Sequence, residues 1–455
     1  MTDLPTDAVD RWGAFQRALQ SESRFGLELG LDRIERALDL EGRPDRQSRT
    51  VVVAGTNGKG ETAAFLDGIL GAHGLRTGLF TSPHLVDLRE RFRVDGDPLG
   101  RTRVAETGGR ILDEYGASSA DPPRLTYFEL TFLIGATLFA DVDVDLSIYE
   151  VGLGGRLDAV NATSPALGVV TNIGRDHREL LGPTLSDIAE EKAAVLRRNR
   201  PAVIGYQTHD EALDVLHDAP SSRTMRYGQD YGGDDGDLVL DETTRLEGLL
   251  TDMPVTRRWN VAAAAMAARQ LLGSDVDERR VRRGVRATRW PGRLDRLSVG
   301  GQGAKFPDQS LELVVDAAHN PDAARQLFEQ LDDESIGAAV CGGLSDKTLG
   351  DVFEPVRDQG LPRWGAVLDA DRGANADELA EVLAGDSFRG TGRTGDVLAR
   401  AATDTAENER VLVYGSTYLV GEAFRALGLG DRALSTRKPS TELEVDETER
   451  EEPDE

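Results

Sequence analysis

A buried-strand pattern runs directly into a glycine-rich turn and then into a helix pattern between residues 51 and 73. The apolar run VVVA is followed by GTNGKGET at 55–62, which places three glycines and Lys59 between the two elements. Glycines let backbone N–H groups approach an oxyanion, and the N-terminus of a helix adds the positive end of its dipole. The segment therefore predicts a phosphate-binding turn in a parallel α/β fold.

The spacing within this turn differs from two familiar nucleotide-binding patterns. Two residues separate Gly55 from Gly58, and a glycine follows Lys59, whereas the common P-loop is spelled G-x4-G-K-[ST]. The turn also lacks the dinucleotide pattern G-x-G-x-x-G. A connecting turn that binds nothing is the alternative interpretation of this segment when it is taken alone.

Short β-rich runs and helix patterns alternate through the first part of the chain, in the order expected of βαβ units. The predicted strands lie at 51–54, 75–80, 146–151 and 167–173, and the predicted helices at 61–73, 126–140 and 184–198. This alternation predicts an α/β domain, residues 1–289, with a mostly parallel sheet and helices on both faces.

A second series of strands and helices follows an Ala-rich helix pattern at 260–272 and a Pro-Gly break in RWPGRLDR, 289–296. Its predicted strands lie at 311–315, 337–341, 366–368 and 411–414. The break predicts a linker, and the second series predicts a smaller α/β domain at 290–434.

Two further segments are predicted to lie outside these domains. The Gly/Asp-rich stretch at 227–237 is typical of a surface insertion. Residues 435–455 are polar and strongly acidic, and burying so little apolar surface cannot offset the entropy of ordering them. They are predicted to form a disordered tail.

The charge of the chain restricts its partners. It carries 53 basic and 80 acidic residues, a net charge of −27, and such a surface repels nucleic acid and anionic lipid. No apolar run approaches the roughly 18 residues of a membrane span. The single cysteine, Cys341, permits no internal disulfide, and the N-terminus lacks a signal-peptide pattern, so a cytoplasmic location is expected.

Lysine occurs only at positions 59, 192, 305, 347 and 438, and arginine supplies the other basic residues. This bias and the acidity are typical of a salt-adapted protein. Each surviving lysine is therefore a candidate for a role that arginine cannot fill. Chance survival is a sufficient explanation for Lys305 and Lys438, which lie in loop-like or tail-like sequence.

We expect folding and activity to require molar KCl or NaCl, because salt screens the repulsion within an acidic surface. Activity and the thermal unfolding midpoint, each measured against salt concentration, test this expectation. Full activity with an undiminished Tm in dilute buffer would contradict it.

Polar residues follow several predicted strands of the first domain, at the edge where ligands bind in parallel sheets. They are Ser82 in TSPHLVDLRER, Glu150 in YEVGLGGRLDAVN, His177 in NIGRDHRELLG and Lys192 in IAEEKAAVLRR. Each has an ordinary alternative: a turn serine, an exposed acid, a partly buried histidine and a solvated helix lysine. Their order along the chain, after the glycine-rich turn, favours one common site.

In the second domain, DAAHNPDAAR at 316–325 places Asp316 and His319 at a strand-to-helix turn. Taken together, the motifs resemble the folylpolyglutamate synthase/dihydrofolate synthase family, a branch of the Mur ligase superfamily. The similarity is carried, in the family's order, by GTNGKG, FTSPHLVDLRERFRVDG, YEVGLGGRLDAVN, DHRELLG, IAEEKAAVLR, WPGRLD and DAAHNPDAA. It implies a P-loop-type N-terminal domain, like the Mur ligase central domain, and a Rossmann-like C-terminal domain.

The resemblance also implies cofactors and site residues. Ser82 and Glu150 match ligands of a first Mg²⁺, and Glu150, His177 and Lys192 match ligands of a second. K⁺ is a further candidate cation. Lys192 is similar to a lysine that CO₂ carbamylates in this family, a change that arginine cannot undergo. The implied catalytic residues are Lys59, His177 and Lys192, and the implied ATP-binding residues are Gly55, Thr56, Asn57, Gly58, Lys59, Gly60, Thr62, Asn260, Arg293, Asp316 and His319.

Two positions depart from the family pattern. Glu61 stands where relatives usually carry Ser or Thr, and it would repel a triphosphate unless it turned to solvent; Thr62 is the substitute hydroxyl. The sequence RRWN at 257–260 replaces the usual His-Gln before the helix asparagine, Asn260. This second departure puts the adenine contact of Asn260 in question.

The activity implied by the resemblance is ATP-dependent addition of L-glutamate to dihydropteroate, to a folylpolyglutamate, or to both, through an acyl phosphate. The enzyme is expected to act as a monomer on small molecules. Two alternatives stay open: a Mur-type ligase for another amino acid and carboxylate, and a P-loop ATPase or nucleotide-binding switch without ligation.

Overall fold

The computed structural model describes residues 8–23, 29–119, 123–300, 311–331, 334–345 and 348–438. Lys305, Lys347 and the predicted tail from residue 439 onward lie outside these ranges. The chain divides into two compact units. Unit 1 comprises Met1–Pro83, Leu88–Arg289 and Ser435–Glu455, and unit 2 comprises His84–Asp87 and Trp290–Leu434.

This division differs from the predicted domains in two short segments. Residues 84–87 group with unit 2, although they lie within the predicted first domain. Residues 435–438 are ordered on unit 1, although they were assigned by composition to the acidic tail.

Unit 1 is built on an eight-stranded sheet and carries a small second sheet. The strands are β1 (Arg49–Ala54), β2 (Thr77–Phe80), β3 (Arg93–Val94), β4 (Asp97–Pro98), β5 (Leu146–Glu150), β6 (Leu167–Val170), β7 (Pro201–Ile204), β8 (Arg223–Arg226), β9 (Gly232–Asp234), β10 (Asp237–Val239) and β11 (Arg245–Leu246). The main sheet has the order β4-β3-β2-β5-β1-β6-β7-β8. The six strands from β2 to β8 in this order run parallel, and β3 and β4 form an antiparallel edge.

The helices described in unit 1 are α1 (Ala8–Glu22), α2 (Asp32–Leu40), α3 (Lys59–Ala72), α4 (Arg101–Tyr115), α5 (Tyr127–Asp141), α6 (Arg178–Leu181), α7 (Leu185–Ala193), α8 (Asp210–Asp218), α9 (Val255–Leu272) and α10 (Glu278–Ala287). Both faces of β1 are covered, because Val51, Val52 and Val53 are all fully buried. Helix α3 packs against α9, α10 and the sheet. No helix in the described ranges is long and apolar enough to cross a bilayer.

The segment 227–237, predicted to be a surface insertion, belongs instead to folded structure. Strands β9, β10 and β11 form a three-stranded antiparallel sheet, and β9 contacts α9. The side chains of Tyr231, Leu238 and Leu246 are buried, and the Tyr231 hydroxyl donates to the Ile204 carbonyl at 2.8 Å. These apolar positions anchor a stretch whose glycines and aspartates made it look like a loop.

Residues 435–438 are held on unit 1 by backbone hydrogen bonds. The Arg289 N–H donates to the Thr436 carbonyl at 2.8 Å, and Thr288 and Arg437 form an antiparallel bridge. Thr436 is fully buried. The chain therefore leaves unit 1 and returns to it at neighbouring points.

The Arg437 guanidinium reaches a carboxylate inside unit 1. Asp67, on α3, is fully buried, and its Oδ2 lies 3.1 Å from Arg437 Nη2. Oδ2 accepts no hydrogen bond among the described residues, so this contact is electrostatic, whereas Oδ1 accepts from Thr77 Oγ1 at 2.5 Å. Side chains larger than glycine at Gly68 and Gly71 would overlap the guanidinium. The site for Arg437 is therefore built into α3.

Unit 2 contains a six-stranded sheet with helices on both faces, which agrees with the second α/β domain that the sequence predicted. Its strands are β12 (Asp295–Val299), β13 (Leu311–Asp316), β14 (Ile336–Cys341), β15 (Arg363–Val367), β16 (Phe388–Arg393) and β17 (Arg410–Tyr414), in the order β12-β13-β17-β14-β15-β16. Only β12 is antiparallel to its neighbour. Its helices are α11 (Pro321–Glu329), α12 (Leu349–Val352), α13 (Glu354–Asp358), α14 (Ala376–Val382), α15 (Thr394–Asp404) and α16 (Thr417–Ala426). Val315 and Val413 pack in one core cluster, and Val314 and Leu412 pack in the other.

Candidate active site

The glycine-rich turn connects β1 to α3 at the carboxyl edge of the main sheet. Gly55 has φ +140° and Gly58 has φ +86°, which are conformations that favour glycine. A Cβ at Gly55 would lie 1.9 Å from Thr171 Oγ1, so a side chain does not fit there. Helix α3 begins at Lys59, and the N–H groups of its first turn have no partner within the helix by geometry. The turn therefore has the features of an anion site.

The segment that follows β6 fixes the shape of this turn. The Thr56 N–H donates to the Asn172 carbonyl at 2.8 Å, and Thr56 Oγ1 exchanges hydrogen bonds with Gly174 at 3.0 and 3.1 Å. Lys59 Nζ donates to the Thr56 carbonyl at 3.1 Å, which folds the ammonium over the turn. The Thr62 hydroxyl is buried and has no hydrogen-bond partner among the described residues. A ligand atom that accepts a hydrogen bond from this hydroxyl, or a cation that the hydroxyl oxygen ligates, would satisfy it.

Ser82 and Glu150, two of the predicted metal ligands, are in direct contact. Strands β2 and β5 are paired, with Phe80 opposite Tyr149, so their carboxyl ends lie side by side. The Ser82 backbone N–H donates to Glu150 Oε2 at 2.9 Å. Glu150 is only 5% exposed. The structure thus places the Ser82 main chain against the Glu150 carboxylate at the ends of two paired strands.

The glycine loop after β5 is held by a residue that the sequence did not single out. Asp158 is buried and accepts hydrogen bonds from the N–H groups of Gly152, Leu153 and Val160 at 2.9–3.1 Å. Burial raises its pKa to about 6, against the effect of these hydrogen bonds. An Asp that follows a Gly-rich stretch and precedes a helical turn was the available signal.

Lys192 is buried in α7, which excludes a solvated helix lysine. It is 4% exposed, and burial, followed by the charge of Lys59, lowers its pKa to about 7. The charges of Asp176, Asp158 and Glu191 act in the opposite direction. A lysine with this pKa is partly unprotonated near neutral pH, and its neutral amine is a nucleophile.

His177 differs from the other predicted ligands in its exposure. It has a left-handed backbone, φ 48°, just before α6, and 47% of its side chain is exposed. Its ring nitrogens lie 3.7 Å from Asp176 and 3.8 Å from Glu179. Across the described ranges, no three His, Cys, Asp or Glu side chains are grouped as a metal site. The predicted metal ligands are not a group of that kind, because only Glu150 and His177 among them are of these four types.

The remaining predicted nucleotide-binding residues are divided between the two units. Asn260 lies on α9 of unit 1, where its Nδ2 donates to Glu61 Oε2 at 2.7 Å. Arg293, Asp316 and His319 belong to unit 2. Asp316, at the end of β13, accepts from the N–H groups of Leu294 and Ala318 at 2.7 Å each, and His319 Nδ1 lies 3.0 Å from the Ala317 carbonyl oxygen.

From the sequence, Glu61 is expected to turn to solvent, because a buried acid would repel a triphosphate. The structure shows instead that Glu61 is buried. Its side chain is 5% exposed, and its Oε1 accepts from Arg257 Nε at 2.9 Å. The unexpected acid and the unexpected arginine of RRWN are therefore partners.

No protein-family model matches the chain. A dihydrofolate synthase/folylpolyglutamate synthase of Haemophilus influenzae is 34% identical over 421 residues, which cover 87% of this chain and 93% of that protein. A probable bifunctional folylpolyglutamate synthase/dihydropteroate synthase of Haloferax volcanii is 33% identical and matches 88% of this chain. The chain spans 48% of the length of this second relative.

Solved structures give the same result. A bifunctional folylpolyglutamate synthase/dihydrofolate synthase crystallised with Mn, AMPPNP and L-glutamate has a TM-score of 0.77 and 30% identity, and the match covers 94% of this chain and all of that one. This similarity confirms the predicted fold class. From its sequence, its fold and the extent of these matches, the chain belongs to the folylpolyglutamate synthase/dihydrofolate synthase family of the Mur ligase superfamily.

Proposed function

We propose that this protein is an ATP-dependent ligase that adds L-glutamate to dihydropteroate, to folylpolyglutamates, or to both. The observation that carries the proposal is the glycine-rich turn with Lys59, at the edge where Ser82 meets Glu150. The family's names, and the AMPPNP and L-glutamate bound to a related structure, support this assignment.

ATP is proposed to bind on the turn at 55–60, with its phosphates at the N-terminus of α3. Lys59 offsets the phosphate charge, and Thr62 offers a hydroxyl that has no other partner among the described residues. Asn260, Arg293, Asp316 and His319 are the other positions that the family resemblance assigns to nucleotide binding.

Mg²⁺ is the proposed metal, with two ions and K⁺ as a further cation. The hydroxyl of Ser82 and the carboxylate of Glu150 are hard oxygen ligands of the kind that Mg²⁺ prefers, and they lie at one strand edge. A carbamate on Lys192, with Glu150 and His177, would hold the second ion. Bound Mg²⁺ would stabilise negative charge on the phosphoryl oxygens.

The chemistry proposed for this site is amide formation through an acyl phosphate. The γ-phosphoryl group of ATP passes to the substrate carboxylate and leaves ADP, and the α-amine of glutamate then displaces phosphate. Negative charge develops on oxygen in both steps, so Lys59 and the N–H groups of the turn act by positioning and electrostatic stabilisation. Asp158 keeps the glycine loop beside them in one conformation.

Incorporation of labelled L-glutamate, with dihydropteroate and tetrahydrofolate as separate acceptors, tests the function. We expect ligation that requires ATP and one or both acceptors, with ADP and phosphate formed in step. Phosphate release that requires neither glutamate nor a pterin would support an ATPase or switch instead. Ligation of a different amino acid would support another Mur-type enzyme.

A cytoplasmic, monomeric enzyme is part of the proposal. Size-exclusion chromatography at high salt tests the monomer, and cell fractionation tests the location.

A further inference from the structure

Glu61 is a buried carboxylate in the first turn of the helix that begins at the phosphate turn. Its two oxygens have different partners: Oε1 accepts from Arg257 Nε at 2.9 Å, and Oε2 accepts from Asn260 Nδ2 at 2.7 Å. A buried carboxylate is costly unless its charge and lone pairs are satisfied. Here both oxygens are satisfied, and one partner is a cation.

The two partners come from the first turns of α9, at positions three apart, so they lie on the same face of that helix. The carboxylate therefore sits at the N-terminal ends of both α3 and α9, where the helix dipoles favour negative charge. Glu61 is only 5% exposed and Arg257 is 26% exposed. The ion pair is thus screened little by water and is sensitive to removal of either partner.

The carboxylate also fixes the direction of the Asn260 amide. A carboxylate only accepts hydrogen bonds, so the NH₂ group of Asn260 must face Glu61. Its carbonyl oxygen then faces Gly58, where a Cβ would lie 2.3 Å from Oδ1. Because of Glu61, Asn260 presents an acceptor to the turn and cannot flip without losing its contact.

We propose that Glu61 and Arg257 are a positioning pair for nucleotide binding: Glu61 orients Asn260 against the turn, and Arg257 neutralises Glu61 so that the triphosphate is not repelled. The pair accounts for both positions at which this chain departs from its family pattern, because Arg257 balances the charge of Glu61 and Glu61 balances the charge of Arg257. This inference rests on the proposed use of the turn for ATP.

Arg257→Met is the decisive single change. It removes the cation while keeping the aliphatic stem, and it leaves a buried negative charge next to the phosphate turn. We expect KM for ATP and the Kd for Mg·ADP to rise about 10-fold or more, with kcat and KM for glutamate within about 3-fold of wild type. A purely structural role would lower the unfolding midpoint and change both KM values together.

Glu61→Gln combined with Arg257→Met is the rescue. Glutamine keeps the length of the side chain and an acceptor for Asn260, but it carries no charge to neutralise. The double variant is expected to bind nucleotide within about 3-fold of wild type, and therefore better than Arg257→Met alone. Arg258→Met is the matched control, because Arg258 is the adjacent arginine and donates to the Met253 and Thr251 carbonyls instead of Glu61.

The binding constant for Mg·ADP, measured by calorimetry in the salt that supports folding, separates this inference from the proposed activity. If wild type binds Mg·ADP but ligates no glutamate, the proposed function fails. The Mg·ADP affinities of wild type and the variants can still be compared in that case. Arg257→Met with wild-type nucleotide affinity would overturn the inference. A double variant no better than Arg257→Met would overturn it as well.

Discussion

Lys192→Arg is expected to lower ATP-dependent glutamate ligation about 100-fold or more, a loss typical of a disturbed metal site. Lys192 is 4% exposed, and its lowered pKa of about 7 leaves much of the amine neutral. A neutral amine can add CO₂ and release a proton, which converts the side chain into an anionic carbamate. A guanidinium stays a cation and cannot provide this ligand.

The controls for this prediction separate chemistry from folding. Lys192→Ala should also be inactive, and short-chain carboxylates should restore part of its rate if they occupy the ligand position. Lys438→Arg is the matched control and should be silent, because Lys438 is not a candidate site residue and arginine keeps both its charge and its backbone N–H contact with Ala287. Circular dichroism monitors the fold of each variant. A Lys192→Arg enzyme with near wild-type turnover would show that the metal-ligand assignment is wrong.

Truncation after Leu434 is expected to destabilise unit 1 by about 3 kcal/mol, the low end for breaking a buried ion pair, because Arg437 is partly exposed. The fully buried Asp67 would lose its cation, and Thr436 would lose its buried position. Truncation after Lys438 keeps these contacts and should have little effect. Chemical denaturation of both forms in the same salt gives the comparison; equal stability would contradict the role of Arg437.

Arg437→Met should also destabilise unit 1, and the stability that it loses should depend on pH. Burial already raises the pKa of Asp67 above its ordinary value of 3.8, against the opposing effects of Arg437 and Thr77. Without Arg437 the pKa rises further, so the folded form holds a proton over a wider pH range than the unfolded chain. Its stability then falls as pH rises through that range. The variant should be closest to wild type at acidic pH, where Asp67 is protonated, and furthest from it at alkaline pH, where Asp67 is ionised.

Asp67→Asn in the Arg437→Met background is the check on this explanation. Asparagine keeps an acceptor for Thr77 but cannot ionise. The double variant should recover part of the lost stability and lose the additional pH dependence. A steep pH dependence in the double variant would assign the effect to another group.

Local patterns in the sequence predicted the fold because each strand or helix pattern is contained within the segment that forms that element. The run 51–54 became the last four residues of β1, and the predicted helix 61–73 corresponds closely to α3. The predicted helix 184–198 was too long, since α7 ends at Ala193. Arg197 supplies the reason: its guanidinium donates to the Ala194 and Asn161 carbonyls, which lets the apolar chain after Ala193 leave the helix.

The parts of the site that escaped prediction depend on contacts between distant residues. Glu61 looked unfavourable beside a triphosphate because its partner Arg257 lies far along the chain. Asp158 holds a loop through backbone N–H groups, so its position after the glycines is a signal but its partners cannot be identified from their residue types. Arg437 lies in acidic, polar sequence that gives no indication of the buried Asp67. Charge pairing across the fold, rather than periodicity, decides each of these positions.

The return of residues 435–438 to unit 1 has a consequence for biosynthesis. A ribosome delivers the chain from its N-terminus, and domains generally fold as they emerge. Here α3 emerges early with Asp67, but its cation arrives only after the whole of 290–434 has been made. The Asp67 carboxylate of unit 1 therefore has no contact with Arg437 until residue 437 has been translated. Nascent chains stalled before and after residue 437 should differ sharply in the protease resistance of unit 1.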